Sequence, residues 1–265
     1  MHVFRYEFRR SILFVVIWTA AILALAGIFI AFYPIIRNDL TTFSEFINRY
    51  PEPVRKAMGI YTDTFKTPLG YFSFAYTMIL LFVAIMSLHL STSIVSKEFS
   101  ERTADFLLTK PISRTRLLTT KLLTVLVDLL SMTVLYSIII GFSIYLLDTE
   151  AFDTEIFLLY TFGIIFIQMI FGSIGSFLGC AIRRIRSVIP ISLGISMFFY
   201  ALSAFAVTSE SDFLRYLTPF EYVKASSFLS DYQPEWIFIA IGSVIIVGSI
   251  FASYIFYTRR EVQSV

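Results

Sequence analysis

Residues 11–36 read SILFVVIWTAAILALAGIFIAFYPII, an apolar run that contains no charged side chain. A helix of this length extends roughly 39 Å at 1.5 Å per residue, which exceeds the ~30 Å hydrocarbon core of a bilayer. The run is also much longer than the apolar region of a secretory signal peptide, which has about 7–15 residues. Although Arg5, Arg9 and Arg10 precede it, the run therefore predicts a retained first membrane span.

Five more apolar runs follow, at about Tyr71–Val95, Leu122–Leu147, Ile156–Ile182, Val188–Val207 and Trp236–Tyr257. Charged residues make up 15% of the chain, against about 25% in soluble domains. None of the runs shows the alternating polarity of a barrel strand, and a helix satisfies its own backbone hydrogen bonds in lipid. We therefore predict an all-α polytopic membrane protein, with residues 1–265 forming a single transmembrane domain of six helices.

The distribution of lysine and arginine predicts the orientation. If the N-terminus is cytoplasmic, the inner segments contain 14 of the 21 basic residues. The short outer loop after the third run instead contains four acidic residues, Asp148, Glu150, Asp153 and Glu155. With an even number of spans, both termini are expected in the cytoplasm, and the cell (plasma) membrane is the expected location of this multi-pass protein.

Two outer segments are too long to be simple connections. In residues 37–70, the apolar side chains of Phe43, Phe46, Ile47 and Tyr50 have helical spacing, so we predict an amphipathic helix that ends at Pro51 and Pro53. Residues 209–235 contain many apolar side chains around Pro219. We predict that these residues form two short re-entrant helices that pack against the spans. The alternative is a surface cap without a role in transport.

The inner loop between the second and third runs contains the most informative motif. A charged helix continues from the second run, and Phe106, Leu107 and Leu108 follow as a short apolar patch with a polar rim, a pattern typical of partner contacts. Pro111 is expected to end this helix. Ser113 is expected to cap the next helix, which places Arg114, Arg116 and Lys121 at the lipid headgroups. A helical hairpin anchored only by positive charge is the alternative interpretation.

Residues Glu98 to Arg116 resemble the first cytoplasmic loop of ABC-2 type transporter permeases. The resemblance rests on Thr103, Asp105, Leu107, Leu108 and the run Pro111-Ile112-Ser113-Arg114, whereas Arg102 occupies a position where that family often has glycine. The run Leu217-Thr218-Pro219-Phe220 also resembles the family's outer segment before the last span.

This resemblance implies that the loop is a coupling helix that docks on a separate cytoplasmic ATP-binding subunit. The implied contact residues are Glu98, Glu101, Arg102, Thr103, Asp105, Phe106, Leu107, Leu108, Lys110, Pro111, Ser113 and Arg114. It also implies a transporter with two permease chains, as a homodimer or a sibling heterodimer. ATP and Mg would be bound by the partner ATPase, with no cofactor on this chain. Residues Met1–Arg10 resemble the family's interface helix.

The sequence offers little for enzyme chemistry. No glycine is followed by lysine, so the chain has no Walker A loop, and the predicted transport subunit would depend on ATP hydrolysed elsewhere. One cysteine, Cys180, and two distant histidines, His2 and His89, make a protein-built metal site an unfavourable interpretation. A net charge of +2 does not favour a nucleic-acid partner.

Asp128 is the one acidic residue inside the third run. Two interpretations are open for Asp128. Either it is part of the translocation pathway, or it lies near the membrane interface, where a neighbouring Ser, Thr or Arg holds its carboxylate. His89 is expected to be a packed or interfacial residue. In the fourth run, Gly172, Gly175, Ser176 and Gly179 form a small-residue face, which predicts close helix packing.

These patterns together favour the permease of an exporter that moves an amphipathic or hydrophobic substrate, such as a peptide, a lipid-like molecule or a drug, out of the cytoplasm. An ATP-independent channel or secondary carrier is the main alternative, but it would need ion-coordinating or proton-relay groups in the spans. Only Asp128 has that chemistry. A membrane scaffold or sensor without a transported cargo is a third hypothesis.

Overall fold

The computed structural model describes residues 2–58, 60, 67–100, 113–149, 151–182, 185–209 and 211–259. These residues form six long helices and several short ones. The long helices are α1 (His2–Asn38), α4 (Pro68–Ser100), α5 (Arg114–Leu147), α6 (Thr154–Ala181), α7 (Ile189–Thr208) and α10 (Trp236–Arg259). Each predicted apolar run falls on one of them to within one residue, and each helix is long and apolar enough to cross a membrane. The predicted all-α fold with six spans is therefore confirmed.

Helices α4 and α6 form the centre of the bundle. In the most apolar part of α4, 72% of the residues are buried, compared with 17% in α7 and in α10. Helix α4 packs against α1, α5, α6 and α7, and α6 packs against α4, α5 and α10. The outer helices consequently present apolar faces away from the bundle, as helices in contact with lipid do.

The small-residue face of α6 allows α4 to approach closely, as predicted. A Cβ atom on Gly175 would lie 2.7 Å from the Leu88 carbonyl oxygen, and one on Gly179 would lie 3.0 Å from the Val95 Cβ. The Thr92 hydroxyl donates a hydrogen bond of 3.0 Å to the Gly175 carbonyl oxygen. Backbone approach and a hydrogen bond between helices are the interactions that stabilise helix pairs in lipid.

Contacts at the helix ends show which ends share a side of the bundle. Arg37 at the end of α1 forms a 2.8 Å ion pair with Asp148 at the end of α5. On the opposite side, the Arg114 side chain at the start of α5 donates a hydrogen bond to the Thr258 carbonyl oxygen at the end of α10. The start of α1 lies on this second side as well, because Glu7 contacts Lys121 of α5.

The first outer segment contains the predicted amphipathic helix, α2 (Leu40–Asn48). Asp39 caps it, because its side chain accepts a hydrogen bond from the Thr42 backbone N–H, and Ile47 is buried in a cluster with Tyr33 and Tyr71. The predicted end was wrong in detail. The helix ends at Asn48, and Pro51 instead begins a second short helix, α3 (Glu52–Ala57), which packs against α7.

The second outer segment contains three short helices rather than the two predicted: α8 (Asp212–Leu217), a 3₁₀ helix (Pro219–Val223) and α9 (Ala225–Ser230). All five residues of the 3₁₀ helix are buried, where it packs against α6, α7 and α10. The Tyr76 hydroxyl of α4 donates a 3.0 Å hydrogen bond to the Val223 carbonyl oxygen. Packing against the bundle therefore explains the apolar side chains of the 3₁₀ helix and of α9, whereas Phe213 and Leu217 of α8 are exposed.

Candidate functional site

The predicted coupling loop is flanked by helices that the structure describes. Helix α4 continues as predicted to Ser100 and contains Glu98, of whose side chain nothing is described. Ser113 caps α5 as predicted, since its hydroxyl accepts a hydrogen bond from the Arg116 backbone N–H. The other predicted contact residues lie outside the described residues: Glu101, Arg102, Thr103, Asp105, Phe106, Leu107, Leu108, Lys110 and Pro111.

Charged side chains from three helices meet beside these flanking ends. Glu7 of α1 is 6% exposed, and its carboxylate oxygens lie 3.9 Å from the Lys97 Nζ of α4 and 3.8 Å from the Lys121 Nζ of α5. The Lys121 ammonium also donates a 2.6 Å hydrogen bond to the Ile94 carbonyl oxygen of α4. We call Glu7, Lys97 and Lys121 the inner charge cluster.

This cluster corrects one prediction. Lys121 was expected at the headgroups, but its side chain is fully buried, because it lies on the face of α5 that packs against α1 and α4. The segment that resembles an interface helix forms the beginning of α1, which runs without a break from His2 to Asn38. Arg5 and Arg9 are exposed.

Asp128 lies deeper between α1 and α5. It is 1% exposed, and its Oδ2 atom has no hydrogen-bond partner in the described part of the chain. The Ser11 hydroxyl of α1 forms a hydrogen bond with the carboxyl group and also lies 3.0 Å from the Phe8 carbonyl oxygen. The expected neighbour is thus a serine from another helix, and it leaves part of the carboxyl group unsatisfied.

A second set of charged side chains lies in the outer segment. Glu221 is 4% exposed and accepts a 2.8 Å hydrogen bond from the Ser203 hydroxyl of α7. Its other oxygen lies 3.7 Å from Arg215 and 3.8 Å from Lys224. Arg215 also forms a 2.7 Å ion pair with Glu235, just before α10. We call these four residues, Arg215, Glu221, Lys224 and Glu235, the outer charge cluster; it connects the short helices to α7 and α10.

A cavity of about 300 Å³ lies between this outer segment, α4 and α7. Its walls combine aromatic, hydroxyl and charged groups, from Lys56, Thr77, Leu80, Tyr200, Ser203, Ala204, Val207, Phe220, Glu221, Lys224, Ala225 and Ser226. Such a lining can accommodate a molecule with both apolar and polar parts.

His89 is a packed residue, as expected. Its ring stacks on Phe14 of α1, with the ring centroids 4.9 Å apart, and its Nδ1 lies 3.5 Å from the Ser192 hydroxyl oxygen of α7. It therefore connects α1, α4 and α7.

A family model for ABC-2 family transporter proteins matches residues 1–262. The chain belongs to the ABC-2 transporter family. The resemblance inferred from the loop residues is thereby confirmed, and this ABC-2 protein is a multi-pass membrane protein and an ABC transporter permease. Its family consists of membrane transport subunits that pair with an ATP-binding subunit. No curated protein matches the chain.

Sequence reasoning did not single out Glu7 or Glu221 in this ABC-2 permease. A signal for Glu7 was present, because Glu7 and Ser11 are four residues apart on α1, and Lys121 and Asp128 are seven apart on α5. Both spacings place polar residues on one helix face. Which polar residues meet between two helices depends on how the helices pack, and no pattern within one helix determines that.

Proposed function

We propose that this ABC-2 permease is the membrane subunit of an exporter that uses ATP hydrolysed by a separate subunit. The observation that carries the proposal is the position of the two helix ends that flank residues 101–112, the end of α4 and the start of α5. Both flanking helix ends lie beside the inner charge cluster, where α1, α4 and α5 meet. A force applied to this loop would therefore act on three spans together.

The proposed partner is a cytoplasmic ATPase, which would bind ATP and Mg and contact the loop residues from Glu98 to Arg114. A second permease copy, identical or sibling, would complete the transporter. The exposed apolar faces of α1, α7 and α10 offer surface for both lipid and a second copy, and they support a protein that works within the plasma membrane.

The proposed substrate is amphipathic or hydrophobic and leaves the cytoplasm. The cavity beside α4 and α7 supports this substrate class, because Tyr200 and Phe220 can contact apolar groups while Ser203, Glu221 and Lys224 offer polar partners. Asp128, which lies beside Ser11 of α1, remains a proposed part of the pathway.

Co-purification with an ATPase tests the proposal. Tagged full-length protein is purified from detergent-solubilised membranes of its native host and compared with the Phe106→Ala/Leu107→Ala variant. We expect a cytosolic ATPase to co-purify with the wild type and to be lost from the variant, because the apolar patch of the loop would form the contact.

The matched control is Phe213→Ala/Leu217→Ala, which removes the same two residue types from exposed positions of α8, in the outer segment. This control should retain the ATPase. If no ATPase accompanies well-folded wild type even after mild crosslinking, the exporter proposal fails, and the channel or carrier hypothesis takes its place.

A further inference from the structure

The inner charge cluster is energetically unfavourable in the interior of a helix bundle, because its charged groups are removed from water. The Lys121 side chain is completely buried, and the exposed fractions of the Lys97 and Glu7 side chains are 16% and 7%. Moving such charges out of water costs several kcal/mol per ion, and well-packed apolar residues often stabilise a protein as much or more. Stability alone is therefore a poor explanation for the cluster.

The cluster does fix the positions of α1, α4 and α5 relative to one another. Glu7 can contact both lysines only when α1, α4 and α5 keep one mutual arrangement. The hydrogen bond from Lys121 to the Ile94 carbonyl oxygen adds a direct link between α4 and α5. An apolar contact would tolerate sliding of one helix along another, whereas a buried charge pair that separates loses its compensation.

The inner charge cluster lies close to the two helix ends that flank the proposed coupling loop. Lys97 lies one helical turn before the last residue of α4, and Lys121 lies two turns after the first residue of α5. Glu7 is therefore connected to both ends of the loop proposed to contact the ATPase. Helix α1 has no direct chain connection to that loop.

We infer that Glu7 is a positioning residue that makes α1 move together with the coupling loop. Displacement of the loop is transmitted through Lys97 and Lys121 to Glu7 and along the continuous helix α1 across the bundle. The inference rests on the proposed function for the source of the displacement, but the link between the helices is a property of this chain alone.

A distance measurement between α1 and α5 tests the inference. Spin labels are attached to cysteines at positions 5 and 115, both exposed, in the Cys180→Ser background, which removes the one native cysteine. Electron–electron resonance distances are recorded for the purified complex without nucleotide and with ATP and vanadate. For the wild type we expect one narrow distance that is the same in both states.

Two variants separate a positioning role from a structural one. Glu7→Gln removes the carboxylate that lies between the two lysines, so we expect a lower midpoint of thermal unfolding and a broad distance distribution. The double variant Glu7→Gln/Lys121→Met also replaces the buried ammonium group by an apolar side chain, and we expect it to recover the unfolding midpoint but not the narrow distance. Both variants should still hydrolyse ATP. In both, the distance between the labels at positions 5 and 115 should differ between the nucleotide-free state and the state with ATP and vanadate.

The matched control is Glu45→Gln, which neutralises an exposed glutamate of α2 and should keep the narrow distance. A double variant that keeps the single narrow distance in both nucleotide states would overturn the inference, because the cluster would then contribute only stability. If the wild type has no ATPase partner, the proposed function and the coupling role fail together. The distances of the nucleotide-free protein still decide whether Glu7 holds α1 to α5.

Discussion

Asp128 has a buried carboxyl group whose hydrogen-bonding capacity is only partly satisfied. Its carboxyl group is buried between α1 and α5, Oδ2 has no hydrogen-bond partner, and the group forms no ion pair with any residue that the structure describes. A buried ionised group without compensation destabilises a protein. Retaining such a group in a span is typical of functional positions, which agrees with the proposed place on the pathway.

We expect Asp128→Asn to unfold at a temperature no lower than the wild type, because the substitution removes a buried charge and keeps the shape of the side chain. If Asp128 belongs to the pathway, ATP-dependent transport should fall in the same variant. Thermal unfolding in detergent and uptake of a fluorescent amphiphile into inside-out vesicles measure the two effects separately.

The control for Asp128 is Asp231→Asn, at an exposed position after α9, which should change neither quantity. A clearly destabilised Asp128→Asn protein would show that the carboxylate has a compensating partner. A stable variant with unchanged uptake of an amphiphile that the wild type transports would remove Asp128 from the pathway.

At the scale of helices, the contact between α4 and α6 holds the centre of the bundle together. Gly175 leaves space for the Leu88 carbonyl oxygen, the Ser91 side chain and Thr92. Because the neighbouring atoms include backbone, they have little freedom to move away from an added methyl group. Close packing of this kind is the main attraction between helices in lipid, where no hydrophobic effect drives them together.

We therefore expect Gly175→Ala to destabilise the protein by about 1–3 kcal/mol, the usual cost of overpacking a core. The measurement is the midpoint of thermal unfolding in detergent. Gly194→Ala on α7 is the matched control, since nothing lies within 4 Å of a Cβ atom at that position. Equal midpoints for the two variants would mean that α4 and α6 do not pack as closely as the structure shows.

At the scale of the whole molecule, the orientation in the membrane remains a prediction from charge. The structure places the start of α1, the start of α5 and the end of α10 on one side of the bundle. Basic residues are concentrated on that side in the sequence, so we predict that it faces the cytoplasm.

Labelling of single cysteines tests the orientation in intact cells. In the Cys180→Ser background, Ser230→Cys in α9 should react with a membrane-impermeant maleimide, whereas Thr115→Cys at the start of α5 should react only after permeabilisation. Both positions are exposed, so accessibility within the fold does not distinguish them. The reverse pattern of labelling would show that the bundle is inserted the other way.

Local patterns were sufficient wherever a single helix determines its own structure. The six spans, the cap at Ser113, the amphipathic helix α2 and the small-residue face of α6 were all predicted, because each depends on residues close together in the chain. The number of short helices in the second outer segment was not predicted correctly, since each of these helices has only five or six residues. Helices this short depend on tertiary packing for their stability.

The sequence by itself determined that this chain has six membrane-spanning helices, because the backbone of an apolar run of bilayer length satisfies its hydrogen bonds in lipid by forming a helix. The loop motif and the match of the family model, which also depend on sequence alone, determined that it belongs to the ABC-2 family. Only the tertiary structure decided that Lys121 is buried and that it meets Glu7 and Lys97. These three residues come from different helices, separated by 90 and 24 positions in the chain. Their meeting depends on the rotation and axial position of each helix, which are set by packing across the bundle.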